Sequence, residues 1–169
     1  MKFPVNILFT LLIAFTFKAF PQNFNKAFSE IEKKEFNKAK SILLKGITKK
    51  KNSVVANYGL ALVLSADNKN AKSLDSAYHQ IRYTEECYND IDKKEKDKLK
   101  NNYDISLTKI LALAYNISVD AYNNIDKKDI SQLENFIKIY SDEKTAKQAI
   151  KLRDEIIIFS ALPDNKEPG

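Results

Sequence analysis

Proline is missing from Gln22 to Leu162; the four prolines are Pro4, Pro21, Pro163 and Pro168. Over those 141 residues the only glycines are Gly46 and Gly59. Proline and glycine break helices and build hairpin turns. Their scarcity excludes a turn-rich β architecture and points to an all-helical body without significant strand. Cysteine occurs once, as Cys87, so no internal disulfide framework exists; it reads as a half-buried helix residue rather than a nucleophile. Histidine also occurs once, as His79. A zinc site needs three or four ligands, so His79 reads as a surface or boundary residue. Glycine-rich phosphate loops and the G-x-S-x-G elbow are absent. Asp90-x-Asp92 lacks the glycine and terminal glutamate of a calcium loop. Glu85-Glu86 and Asp90/Asp92 sit in polar, wet sequence where nothing would raise a carboxyl pKa for acid catalysis.

Arginine is nearly absent too. Of 28 basic residues only Arg82 and Arg153 are arginines. The formal charge is +6, but nucleic-acid readers use clustered charge and bidentate guanidinium forks. Lys49-Lys50-Lys51 is short, and the run Lys93 to Lys100 is diluted by Glu95 and Asp97. Both read as solvated surface, and no nucleic-acid partner is expected. No residue is nominated as catalytic, cofactor-binding or metal-ligating, no cofactor is implied, and the sequence does not assign a partner-binding surface.

What the sequence does contain begins with an address. Lys2 supplies a positive start, Val5 to Phe17 is a mostly apolar run of 13 residues, and Lys18 to Gln22 turns polar. That is the tripartite pattern of a secretory signal, and the run falls short of the ~20 residues of a membrane span. Residues 1–21 are therefore expected to be a signal peptide, with a mature N-terminus between Phe20 and Asn23. A retained anchor or a buried first helix are the competing readings. The expected destination is the periplasm or cell envelope, with no stable membrane span after signal removal.

The body, 22–162, reads as helical hairpins at about 22–49, 53–88, 104–140 and 142–162, with 163–169 a disordered tail. Phe24, Ala27, Phe28 and Ile31 step by three and four along a first apolar face. Phe36, Ala39, Ile42, Leu43 and Ile47 make the second, after a tight turn at Glu35-Phe36-Asn37. Ser53 is positioned to cap a third helix with Ala56, Leu60, Ala61, Val63 and Leu64 inward. Leu74, Ala77, Tyr78 and Ile81 lead a fourth. Residues 89–103 hold little to bury beyond Ile91 and Leu99, and read as a short exposed helix and a loop, with Asp104 capping the next helix. In helix 104–123 apolar residues surround the axis, so it is expected to be the most buried, with Leu111 inside. Asp129-Ile130-Ser131-Gln132 resembles a capping box, opening a helix with Leu133, Phe136, Ile137 and Tyr140 inward. Asp142 is expected to start the last, carrying Ala146, Ala149, Ile150, Ile157 and Ala161 inward.

Two stretches 34 residues apart are nearly the same. Tyr88-Asn89-Asp90-Ile91-Asp92-Lys93-Lys94 returns as Tyr122-Asn123-Asn124-Ile125-Asp126-Lys127-Lys128, and Phe24/Ala27 returns as Tyr58/Ala61. A chain crowded with Lys, Asn, Asp and Ile also yields such matches by chance, but 34 is the period of a two-helix tetratricopeptide unit. Glu35 to Ala39, Leu43 and Gly46 resemble the second-helix signature of that repeat. Tyr58-Gly59-Leu60-Ala61 with Leu64 resembles the first-helix signature of the next, and Asp75-Ser76-Ala77 the second-helix start once more. Leu133 to Leu162, through Phe136-Ile137, Tyr140-Ser141, Ala149 and Arg153-Asp154, is similar to a helical-hairpin repeat of exported bacterial envelope proteins, with Ser141 where proline is usual. There the repeats often precede a β-propeller or a peptidoglycan-binding domain. No such domain is in this sequence, which leaves both a short relative and a piece of a longer protein open.

The resemblance implies an all-α fold of antiparallel helical hairpins stacked as a tetratricopeptide-like right-handed solenoid. Its implied function is a non-catalytic protein-interaction scaffold of the cell envelope with a protein partner. The alternatives are a small exported enzyme, a direct cell-wall glycan binder, or an architectural spacer. An apolar or tyrosine-lined groove would favour the scaffold, convergent carboxylates in a deep pocket the enzyme, and no groove the spacer. The tyrosines Tyr78, Tyr83, Tyr88, Tyr103, Tyr115, Tyr122 and Tyr140 read either as packing at the core edge or as binding anchors.

Overall fold

A computed structural model describes residues 24–67 and 70–161. The expected signal peptide and its cleavage site, and the expected tail, lie outside the described residues. Eight helices and no strand occur among them: α1 (Phe24–Glu32), α2 (Phe36–Lys49), α3 (Val54–Asp67), α4 (Ala71–Asn89), α5 (Lys93–Tyr103), α6 (Leu107–Asn124), α7 (Ile130–Ile139) and α8 (Lys144–Ala161).

Two helices stop without glycine, by the same device. Lys34 after α1 and Asp104 after α5 adopt the left-handed conformation, at φ 60° and 55°. In each case a nearby amide reaches back along the chain, Glu35 N to the Glu30 carbonyl and Ile105 N to the Leu99 carbonyl. After α1 this is a Schellman closure, with Lys34 N on the Ile31 carbonyl as well; after α5 it is the simpler left-handed cap, Asp104 N on the Lys100 carbonyl, with Ile105 brought back onto Leu99. Ile105, in the loop, is fully buried for that reason, and Leu99 beneath it is 7% exposed. Asp104 therefore ends α5 rather than starting α6, and its carboxylate pairs with Lys109. The cap of α6 is Ser106, whose hydroxyl accepts from Lys109 N at 3.4 Å. The turn between α1 and α2 is centred one or two residues before Phe36, which already begins α2. Residues 93–103 are helical throughout: Asp92 accepts from Glu95 N at the start, with Glu95 in the first turn and Lys100 in the last, signs that suit the helix dipole.

The most buried helix is α3, not α6. Eight of its 14 residues are buried, and it packs against α1, α2, α4 and α6. From Val54 to Ala66 it carries no charge, the mark of a helix enclosed on all sides. Small residues bring its neighbours close. A methyl group on Gly59 would stand 2.6 Å from a Leu43 methyl, and one on Gly46 would stand 2.7 Å from the Phe24 ring and 3.1 Å from Ala56 Cβ. Both glycines thus serve the α1–α2–α3 contact.

Helix α6 packs mainly on α4, with smaller contacts to α8 and α3. It buries Ile110, Ala114, Ile117, Ser118 and Ala121 and leaves Leu107, Leu111 and Tyr115 outside, Leu111 at 41% exposure. Its apolar circumference is a packed face plus an uncovered stripe. Helix α7 packs on α8 and meets α6 through the Phe136 and Tyr122 rings. On α8, Ala146 and Ala149 are buried, but Ile150 and Ile157 are exposed, contrary to expectation. Asp142 precedes α8 by two residues and its carboxylate turns to Arg82, 3.1 Å away. Cys87 is buried, at 5% exposure. Burial, reinforced by Asp90 and Glu86 against the Tyr83 hydrogen bond, pushes its thiol pKa up, which disfavours the thiolate.

Candidate functional site

An aromatic column joins α6, α7 and α4. Tyr122 meets Phe136 with ring centroids 5.5 Å apart, Phe136 stacks on Tyr140 at 4.6 Å, and Tyr140 meets Tyr78 at 4.5 Å. The column exists because Phe136 and Tyr140 are four apart on one face of α7, and Tyr78 faces them from α4. Its polar tips are paired. The Tyr140 hydroxyl donates to Asp75 Oδ1 at 2.8 Å, and the Tyr78 hydroxyl to Glu143 Oε1 at 3.2 Å. Burial, then the neighbouring carboxylates, raises both phenol pKa values far above the ordinary range, so both stay protonated donors. Glu143 is itself raised, mainly by burial, against the Tyr78 bond and Arg82. Arg82 bridges Glu85 at 2.7 Å and Asp142 at 3.1 Å. These links fix the α7–α8 turn to α4 across about 60 residues of sequence.

Beside the column opens a cleft of about 320 Å³. Ala71 and Asp75 of α4, Ala121 at the end of α6 and Ile125 just beyond it form two walls. Ser131, Gln132, Asn135, Phe136 and Tyr140, all from α7 and its end, form the third. The polar rim is preset by the start of α7. Asp129 accepts from Ser131 N, Gln132 N, the Ser131 hydroxyl and the Gln132 amide, while Gln132 Oε1 accepts from Asp126 N. Half of the expected capping box is thus present: Asp129 accepts from Gln132 N, but Gln132 Oε1 reaches the Asp126 amide, while the Asp129 amide donates to the Asp126 carbonyl. The Asp75 carboxylate is the one acid in the lining and already binds Tyr140.

The Ser131 and Gln132 hydrogen bonds lower the Asp129 pKa. A carboxyl whose folded pKa lies below its unfolded value stabilises the fold fully above the unfolded value and loses that contribution as pH falls through the folded one. Asp129→Ala should therefore lower Tm at neutral pH, and the two Tm curves should converge as pH drops below the ordinary carboxylate range. Thermal melts across acid pH measure this; a constant gap at every pH would show that the charge of Asp129 is not what caps α7.

The tyrosines divide. Tyr78, Tyr88 and Tyr140 are buried, Tyr83, Tyr103 and Tyr122 are half-buried, and Tyr115 is exposed. Tyr140 is both packing and cleft wall. His79 is exposed on α4, and among the described residues no three of His, Cys, Asp and Glu gather as a metal site would require. The sequence reading assigned no binding surface. Ala71, Asp75, Ser131, Gln132 and Asn135 carry no local signal, since they become neighbours only when α4 and α7 pack. No protein-family model, curated protein or solved structure matches the chain.

Proposed function

We propose that this chain is a non-catalytic interaction module of tetratricopeptide-like design, exported to the cell envelope, that holds a segment of a protein partner in the cleft between α4, α6 and α7. The observation that carries the reading is the cleft itself. It is open, walled by Phe136, Tyr140, Ile125 and small residues, and its only carboxylate is already hydrogen-bonded. Sites with apolar walls and a few placed polar groups suit binding; general acid–base work asks for convergent titratable groups.

The solenoid reading is supported by who packs on whom. Contacts run α1–α2, α2–α3, α3–α4 and α4–α6, with α1–α3 and α3–α6 alongside, a largely chain-order stacking of the kind a repeat array uses; α5 departs from it, its Tyr103 lying against Phe24 and Phe28 of α1. The start of α4 and the end of α6 line one cleft, as antiparallel neighbours do. The repeated stretches both form helix exits, after α4 and after α6. In each the aspartate accepts from a backbone amide that follows it, Asp92 from Glu95 N as the N-cap of α5 and Asp126 from Lys128 N in the α6–α7 turn. A lysine covers each tyrosine ring, though not from matched positions: Lys96, two residues past the first stretch, lies on Tyr88 at 5.3 Å, and Lys127, inside the second, on Tyr122 at 4.9 Å. Export rests on Lys2 and the Val5–Phe17 run. No helix among the described residues is long and apolar enough to cross a membrane.

The test is site-specific photo-crosslinking in the host envelope, with the reactive residue at Asn135 in the cleft and, as control, at Lys147 on α8. A discrete protein adduct from Asn135 and none from Lys147 is expected. Equal labelling from both positions, or capture of glycan alone, would overturn the reading.

A further inference from the structure

The two lysine-rich segments, far apart in sequence, meet at one end of the molecule. Lys50 Nζ lies 3.4 Å from Glu95 Oε1, which sets the α2–α3 turn against the first turn of α5. Residues 45–51 and 90–100 together hold nine lysines and four carboxylates, a net of +5. The other described residues hold 15 Lys/Arg and 16 Asp/Glu, a net of −1. The whole positive excess of the described residues is therefore gathered here. Leu99 faces the core, and Lys93, Lys94, Lys98 and Lys100 are exposed around the rest of α5. Two of the four carboxylates are engaged, Asp92 at the cap and Glu95 with Lys50.

We propose that this end of the molecule docks on the surface of an anionic phospholipid bilayer. Neither segment contains an arginine or an aromatic residue. Nucleic acid is gripped through arginine forks and stacked aromatic rings, and neither is offered. A folded protein partner is anchored by aromatic or arginine side chains at the centre of a dry contact, and these are missing as well. A fluid sheet of anionic headgroups asks only for clustered charge on compact ammonium groups, which lysine supplies. The placement has a consequence for the cleft. Helix α4 is 19 residues long, about 27 Å at the usual rise. The cleft opens at its first turns, and the lysine cluster follows its last. Docking by the charged end turns the cleft away from the bilayer, whatever occupies it.

The test is co-sedimentation of the full chain with vesicles of phosphatidylglycerol mixed with phosphatidylcholine, and with phosphatidylcholine alone. The Val5–Phe17 run is common to every arm and cancels in the comparison. Binding to the anionic vesicles, lost at about 0.5 M salt where screening is nearly complete, is expected. The triple variant Lys93→Gln, Lys94→Gln, Lys98→Gln should bind on the order of 100-fold more weakly at low salt. The matched triple on α8, Lys144→Gln, Lys147→Gln, Lys151→Gln, should lose far less. Circular-dichroism melts keep the comparison to folded protein, and the salt dependence of the unsubstituted chain needs no variant. Equal binding to both vesicle types, equal loss by the two triples, or tighter binding to a duplex DNA oligonucleotide would each overturn the proposal.

Discussion

Ile110→Ala is expected to cost about 2–5 kcal/mol of stability, and Leu111→Ala, one residue along the same helix, about 1 kcal/mol or less. Ile110 is fully buried at the α6 face that packs on α4, whereas Leu111 is 41% exposed. Truncating Ile110 removes apolar contact and leaves a cavity that two packed helices cannot easily close. Truncating Leu111 leaves no cavity, because water already reaches that side chain. Urea melts of the two variants measure the difference. Equal losses would mean that something covers the Leu107–Leu111–Tyr115 stripe in solution, and α6 would then have a second packed face.

The second large effect belongs to Tyr140. Tyr140→Ala should cost about 3–5 kcal/mol, in the range for deleting a buried ring. The ring is 1% exposed and touches both Phe136 and Tyr78, so its loss breaks the column in the middle. Tyr140→Phe keeps the rings in contact and removes only the bond to Asp75, a change of about 1 kcal/mol, since the half-buried carboxylate regains water. Because Tyr140 joins α7 and α8 to α4, hydrogen exchange should show α7 and α8 opening below the global unfolding energy in Tyr140→Ala. A loss under about 1 kcal/mol, or uniform protection across all helices, would show that the Arg82 and Tyr78 links hold the α7–α8 unit by themselves.

Helix α3 shows where a local reading succeeds and where it stops. Its existence and inward residues were legible from spacing. Its rank as the most enclosed helix was legible too, from the missing charge between Val54 and Ala66, yet the apolar residues around α6 pointed to that helix instead. Period and charge tell different things: apolar residues all round permit burial, while a charge-free run requires it. Lys109 and Asp120 on α6 already mark a helix with a wet side. Asp104 shows a second limit. An aspartate between two helices fits a cap equally well in either direction, and only the backbone at φ 55° decides that it closes α5. The cleft had no such signal, because its walls come from three helices whose approach depends on the Tyr78–Tyr140 column.

Sequence alone determined the class and part of the punctuation. Without proline and almost without glycine, the described backbone makes its hydrogen bonds mainly within helices, and period-3.6 faces picked out most of the inward residues, though not the exposure of Leu111, Ile150 and Ile157. Tertiary structure decided everything that needs two distant segments at once: that α7 packs on α8 while α6 packs on α4, that Asp75 meets Tyr140, that Leu111 stays outside, and that two lysine runs form one charged end. The reason is physical. Helix formation is governed by bonds four residues apart, which a sequence displays directly. The choice among possible helix partners is set by the shape of side chains such as Gly46, Gly59 and Tyr140 against neighbours that no local pattern names.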